Sequence, residues 1–181
     1  MNQAVKTTER YGAGAIAFHW VMFVLVIGVG ILGLLHDSWS KATQPFWINV
    51  HAVCGLVLWL VLLARLRWRA RHPPPPPPAE IGELSRRLAG MTHLALYVLL
   101  FVIPIIGAVT FIWHGRNLDL GLFQLNFSVR KNPAVFRPTE DAHGYLAYGL
   151  FVLAGFHALA GLWHRFVRRD AVLKRMWPAS M

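Results

Sequence analysis

The sequence predicts an all-α integral membrane protein, a four-helix bundle with both termini on the cytoplasmic side. Three observations carry this prediction. Four segments are apolar and long enough to cross a bilayer. The lysines and arginines gather on one side of the topology those segments imply. Of the nine histidines, three lie inside the apolar segments, and with one at a segment edge they form two pairs of matched depth.

The chain has 181 residues, 56% of them hydrophobic. That length suits one domain, read here as residues 1–181, and that composition is high for a soluble one. A spanning helix needs roughly 20 apolar residues. The segments that meet this are approximately 15–35, 46–64, 94–113 and 144–163. The first runs 21 residues without a formal charge and has no small-residue cleavage site after it. It is therefore expected to be a retained helix, not a signal peptide. Four such segments leave too little polar sequence to cover a soluble core.

Orientation follows from the basic residues. Lys6 and Arg10 precede the first helix. Arg65, Arg67, Arg69, Arg71, Arg86 and Arg87 lie between the second and third, and Arg165, Arg168, Arg169, Lys174 and Arg175 follow the fourth. The opposite side has Lys41, Arg116, Arg130, Lys131 and Arg137. The net charge of +10 is thus mainly a topology signal. A nucleic-acid partner would require a basic face on a soluble domain, and none is expected. Membrane lipid is the expected surround.

The proline run at 71–80 (RHPPPPPPAE) reads as a stiff spacer between helices two and three. The segment 115–142 is the longest loop, and its apolar stretch 118–127 is expected to lie along the interface. Pro104 is expected to bend helix three, with neighbouring groups satisfying the freed carbonyl. The single cysteine, Cys54, permits no intramolecular disulfide. No C-x-x-C-H, HExxH, GxSxG or glycine-rich phosphate loop is present.

The histidines remain, and ionisable residues within membrane helices are functional candidates by default. His19 lies about one turn into helix one, near the cytoplasmic side, and His51 about one turn into helix two, near the outside. His143 opens helix four on the outside. His157 follows 14 residues later, about 21 Å deeper and only about 40° off the same face. His19 therefore pairs with His157 on the inside, and His51 with His143 on the outside. Helix four supplies one ligand to each of two stacked sites.

Zinc wants about four ligands, commonly including Cys, Asp or Glu, and no intramembrane carboxylate supplements these pairs. Haem iron needs only two axial protein ligands, and imidazole suits it. Gly28, Gly30, Gly33, Gly55, Gly107, Gly149, Gly155 and Gly161 can open space for a flat macrocycle, although each alone could serve close helix packing. Two non-covalent b-type haems are the expected cofactors, with iron ligands His19, His51, His143 and His157. His93, at the start of helix three, is a candidate contact for a haem propionate. His164, seven residues beyond His157 on nearly the same face, is a candidate contact for a quinone or a propionate. His36 and His114 read as interfacial and His72 as solvated.

The stretches AFHW (17–20), INVHAVCGLVLWLVLLARLRWR (48–69), HLALYVLLFVIPIIGAV (93–109) and HGYLAYGLFVLAGFHALAGLWHRFVRRDAVLKRMWP (143–178) resemble the bacterial cytochrome b561 family of small di-haem membrane proteins. The resemblance implies axial ligands at the same four histidines and electron exchange with ubiquinone. Some members look like superoxide oxidases, which pass an electron from periplasmic superoxide to the quinone. It implies an oxidoreductase of the bacterial inner membrane, with a periplasmic electron donor as partner; a homodimer is compatible with it. Arg130, Lys131 and Arg137 could attract an anion from outside, but Glu140 and Asp141 oppose this. Two other classes stand beside this reading. One is an accessory cytochrome b subunit of a hydrogenase or dehydrogenase; the other is a transporter or metal carrier without haem.

Overall fold

The computed structural model describes residues 10–78 and 81–178. Four long helices dominate it: α1 (Ala13–Leu34), α2 (Gln44–Arg71), α3 (Glu83–Trp113) and α4 (Pro133–Phe166). α1 packs on α2, α2 on α3, and α3 on α4. The first and last described residues, Arg10 and Pro178, thus lie at one end of an up-and-down bundle, called the termini end; the other is the loop end.

Every helix but the first runs well past its apolar segment, because local end signals carry it further. At α3, Glu83 sits in the first turn, where the helix dipole favours a carboxylate, and Arg87 one turn on pairs with it at 2.8 Å. At α4, the Asn132 side chain accepts from the Ala134 N–H at 3.0 Å, and Pro133 needs no donor at the first helical position. The expected start of helix four at 144 is therefore corrected to Pro133, and His143 lies about three turns inside the helix instead of opening it. His93 is likewise interior to α3, and Arg65, Arg67, Arg69 and Arg71 belong to α2, not to a linker. At 34 residues, α4 is about 50 Å long, longer than a hydrocarbon core of about 30 Å.

The interior is thin. Met22, Leu58 and Leu62 form the buried centre, with Leu25, Val26, Trp59, Val61, Tyr97 and Leu100 around them. Only 17%, 11%, 11% and 6% of the most apolar windows of α1 to α4 are buried within the protein. A helix apolar all round but buried on one side only needs an apolar solvent on the other. The bundle is thus built to span lipid.

α3 continues through Pro104. The indole N–H of Trp59 on α2 donates to the Phe101 carbonyl at 3.2 Å, supporting the backbone just before the proline from a neighbouring helix. α1 and α4 meet at Gly30, where the Phe151 ring occupies the volume a Cβ would need.

At the loop end, a short antiparallel pair, β1 (Leu118–Asp119) and β2 (Gln124–Leu125), replaces part of the expected loop. Asn49 on α2 clamps it, donating to the Asp119 carbonyl at 2.8 Å and accepting from its N–H at 2.9 Å. Leu118 is buried, whereas Leu122 at the tip is 95% exposed. At the termini end, the C-terminal tail straps the bundle. Trp20 donates to the Met176 carbonyl at 2.9 Å, Arg10 to the Trp177 carbonyl at 2.6 Å, and Arg175 to the carbonyl of Pro76 in the proline run at 2.8 Å.

Two outcomes are expected. Gly30→Ala overpacks the contact with Phe151 and destabilises the protein by about 1–3 kcal/mol. Gly90→Ala, with nothing within 4 Å of its Cβ, does not lower the thermal midpoint in detergent. The Asp119 carboxylate accepts from the Gly121 N–H and the Gln124 amide, which hold its pKa below the usual carboxylate value. Because the folded value is depressed, this support is present at neutral pH and lost as pH falls through it. Amide protection of 118–125 therefore drops in acid, and Asp119→Asn removes that pH dependence.

Candidate functional site

Two pairs of imidazoles face one another inside the bundle. His51 on α2 and His143 on α4 lie toward the loop end with ring centres 6.0 Å apart. His19 on α1 and His157 on α4 lie toward the termini end with ring centres 6.2 Å apart. These are the pairings expected from depth. α4 carries one ring of each pair because its two histidines are 14 residues apart, which returns the side chain to almost the same face.

At the loop-end pair, both rings are oriented by backbone. His51 Nδ1 bonds the Val29 carbonyl on α1 at 3.1 Å, and His143 Nδ1 bonds the Ile103 carbonyl on α3 at 3.0 Å. Such bonds fix the tautomer and leave each Nε2 lone pair for a metal. The residue four positions after each carbonyl is a glycine. A Cβ at Gly33 would stand 3.2 Å from His51 Cε1, and one at Gly107 2.8 Å from His143 Cε1. The same device therefore occurs on two helices: a carbonyl accepts from the ring's N–H, and a glycine one turn on leaves room for the ring.

The termini-end pair is surrounded differently. His93 on α3 approaches His157 with ring centres 5.3 Å apart. Arg65 on α2 reaches inward, its Nε donating to the Tyr97 hydroxyl at 3.1 Å and its Nη1 lying 3.7 Å from Met22 Sδ. Beyond this level, His164 Nδ1 lies 2.5 Å from Asp170 Oδ2, and the side chains of both are mostly buried. Asp170 also accepts from the Val172 N–H at 3.0 Å.

The spacing of each ring pair would suit a haem iron held between the two imidazoles. A metal–imidazole bond of about 2 Å, plus roughly 1 Å from nitrogen to ring centre, puts two axial rings about 6 Å apart across one iron. Both pairs match this. Among the described residues, no group of three or more His, Cys, Asp or Glu side chains could hold a bare metal ion. An apolar cleft of about 370 Å³, lined by Val24, Leu25, Gly28, Val29, Ile31, Leu32 and Cys54, opens beside the bundle centre.

The remaining histidines serve the ends. His36 Nδ1 bonds the Gly33 carbonyl at 2.9 Å, and His72 stacks on Trp68 with ring centres 4.0 Å apart. His114 packs on Phe136, and partial burial beside Arg116 lowers its pKa against the pull of Glu140. Three features escape a reading by residue type: the Val29 and Ile103 carbonyls, the Asp170 partner of His164, and Arg65. Only Arg65 has a sequence signal, since it follows His51 by the same 14 residues that separate His143 from His157.

A membrane bundle whose opposed imidazoles are spaced for an iron between them is the architecture of a b-type cytochrome. Residues 10–179 match the family model of prokaryotic cytochrome b561, and the chain belongs to that family. It is 34% identical to cytochrome b561 homolog 2 of Escherichia coli over 94% of this chain and 93% of that protein. It is 28% identical to the probable superoxide oxidase CybB of Yersinia pestis over 94% of this chain and 97% of that one. The protein is a multi-pass, haem-binding electron-transfer protein of the bacterial inner membrane.

Gly107→Ala is expected to displace the His143 ring and to lower the haem retained per chain. Gly33→Ala, whose added carbon has more room, costs less. Haem-to-protein ratios of the purified variants measure the order.

Proposed function

We propose that the protein carries electrons from a donor at the loop end, superoxide in the first instance, to ubiquinone near the termini end. The observation that supports this is the pair of ring separations, 6.0 and 6.2 Å, at two levels of one bundle. His51 and His143 hold one b-type haem, and His19 and His157 hold a second. When bound, the haems supply reversible one-electron chemistry at two depths in the membrane. The chain's own residues orient the ligand rings, keep water from them with an apolar shell, and set the charge around them.

The termini end is the cytoplasmic face, as the excess of arginine and lysine there implies. His164 and Asp170 serve the quinone. Nδ1 of the ring donates to the aspartate at 2.5 Å, and Nε2, when the ring carries its second proton, donates to a quinone carbonyl and passes that proton on. His93, whose ring faces His157, suits a contact with a haem propionate. At the loop end, Arg116, Arg130, Lys131 and Arg137 attract an anion, with Glu140 and Asp141 working against them. A relative that bears the name probable superoxide oxidase supports superoxide as the donor.

A pyridine haemochrome assay on purified protein is expected to return two b haems per chain; fewer would sink the two-site reading. His51→Ala and His143→Ala should each lose the loop-end haem, and His19→Ala and His157→Ala the other. A His143→Ala protein that keeps its loop-end haem contradicts the pairing. Superoxide-dependent ubiquinone reduction by the protein alone in proteoliposomes tests the donor. Reduction only with an added dehydrogenase or hydrogenase would make the chain an accessory cytochrome subunit instead.

A further inference from the structure

We infer that the bundle surrounds its two histidine pairs with opposite electrostatics, so that an electron is held more tightly between His19 and His157 than between His51 and His143. This rests on the two-haem reading above, and it assigns a direction to the electron: from the loop end to the termini end.

All four helices contribute at each level. At the loop end, α2 and α4 supply the rings, and α1 and α3 supply the Val29 and Ile103 carbonyls, 3.1 and 3.0 Å from the two Nδ1 atoms. An imidazole that donates its second N–H to an acceptor is a more basic ligand. It favours the oxidised, more positive iron. Two such bonds therefore make that site harder to reduce.

At the termini end, α1 and α4 supply the rings, and neither His19 nor His157 has a hydrogen bond from its ring among the described residues. α2 supplies Arg65 instead, whose guanidinium cannot lose its proton in a protein. It is held one turn from His19, at Met22 Sδ 3.7 Å away, and one turn from His93, at the Tyr97 hydroxyl 3.1 Å away. Its charge therefore stands at the level of His19 and His93, whose rings both face His157. A fixed cation in a low-dielectric setting stabilises an added electron. Arg69, over the Tyr97 ring at 5.9 Å, adds to this side.

Other charges do not reverse the difference. Glu140, one turn before His143, faces Arg116 as well as His114. Asp170 is engaged by His164 at 2.5 Å and has Arg168 at 3.6 Å. The step itself moves one electron from one site to the other, with no bond made or broken and no proton required.

A redox titration of the haem-loaded protein, followed by its visible spectrum, tests the inference. Two waves are expected, with at least a tenfold preference for the electron at the upper site, which is about 59 mV for a one-electron couple. Arg65→Gln should lower the upper wave and narrow the gap, while Arg65→Lys preserves most of it. His51→Ala, retaining only the His19–His157 haem, should titrate at the upper wave. A remaining haem at the lower potential, or an Arg65→Gln protein whose upper wave does not move, overturns the inference. If Arg65→Gln does not fold, the His51→Ala and Arg65→Lys titrations decide it. Fewer than two haems per wild-type chain would instead overturn the two-haem reading, whereas two haems at one common potential overturn only the inference.

Discussion

An imidazole inside a membrane-spanning helix has two ring nitrogens and no water to satisfy them. The rest of this structure depends on where those nitrogens find partners. At the loop-end pair, one nitrogen of each ring goes to a backbone carbonyl of a helix outside that pair, and the two rings stand opposite each other. That requires α1 to stand against α2, and α3 against α4, closely enough for a carbonyl to be reached. Gly33 and Gly107 allow it, because a side chain there would crowd the ring, more severely at Gly107 than at Gly33. The helix packing and the ligand geometry are thus one constraint and not two.

The termini end meets the same difficulty by another route. His19 and His157 face each other without carbonyl partners among the described residues, and polar groups nearby are His93, Arg65 and the Tyr97 hydroxyl. An arginine at this depth is tolerated because its guanidinium has a hydroxyl, a thioether and an aromatic face to rest against. The C-terminal strap covers the same end, tying α1 to the proline run through Trp20, Arg10 and Arg175. The His164–Asp170 pair lies where α4 gives way to that strap, so the position of the ring depends on how the tail folds back.

Between the two levels, α1 and α4 touch where Gly30 admits the Phe151 ring. Phe151 follows His143 by eight residues and precedes His157 by six, which puts it about 12 and 9 Å from them along the helix. The contact therefore lies between the two histidine pairs and sets the spacing of α1 and α4 there. Membrane bundles rely on such small-residue contacts because lipid provides no hydrophobic drive between helices.

The four apolar segments, their order and the two histidine pairs were legible in the sequence alone. Each is a matter of local chemistry: length of apolar run, and the fixed rise and rotation of a helix. The fourteen-residue interval on α4 is a property of that helix wherever it packs. Helix ends were less legible, since α3 and α4 extend ten or more residues beyond their apolar windows through capping groups that carry no hydropathy signal. What only the tertiary structure decided was the company each ring keeps. Backbone carbonyls are the same in every sequence, so nothing in the letters at 29 or 103 marks them as partners. The turn of α2 that brings Arg65 toward His19, and the return of the tail that brings Asp170 to His164, join residues that the chain holds far apart or on separate elements. Those contacts exist only once the helices have packed.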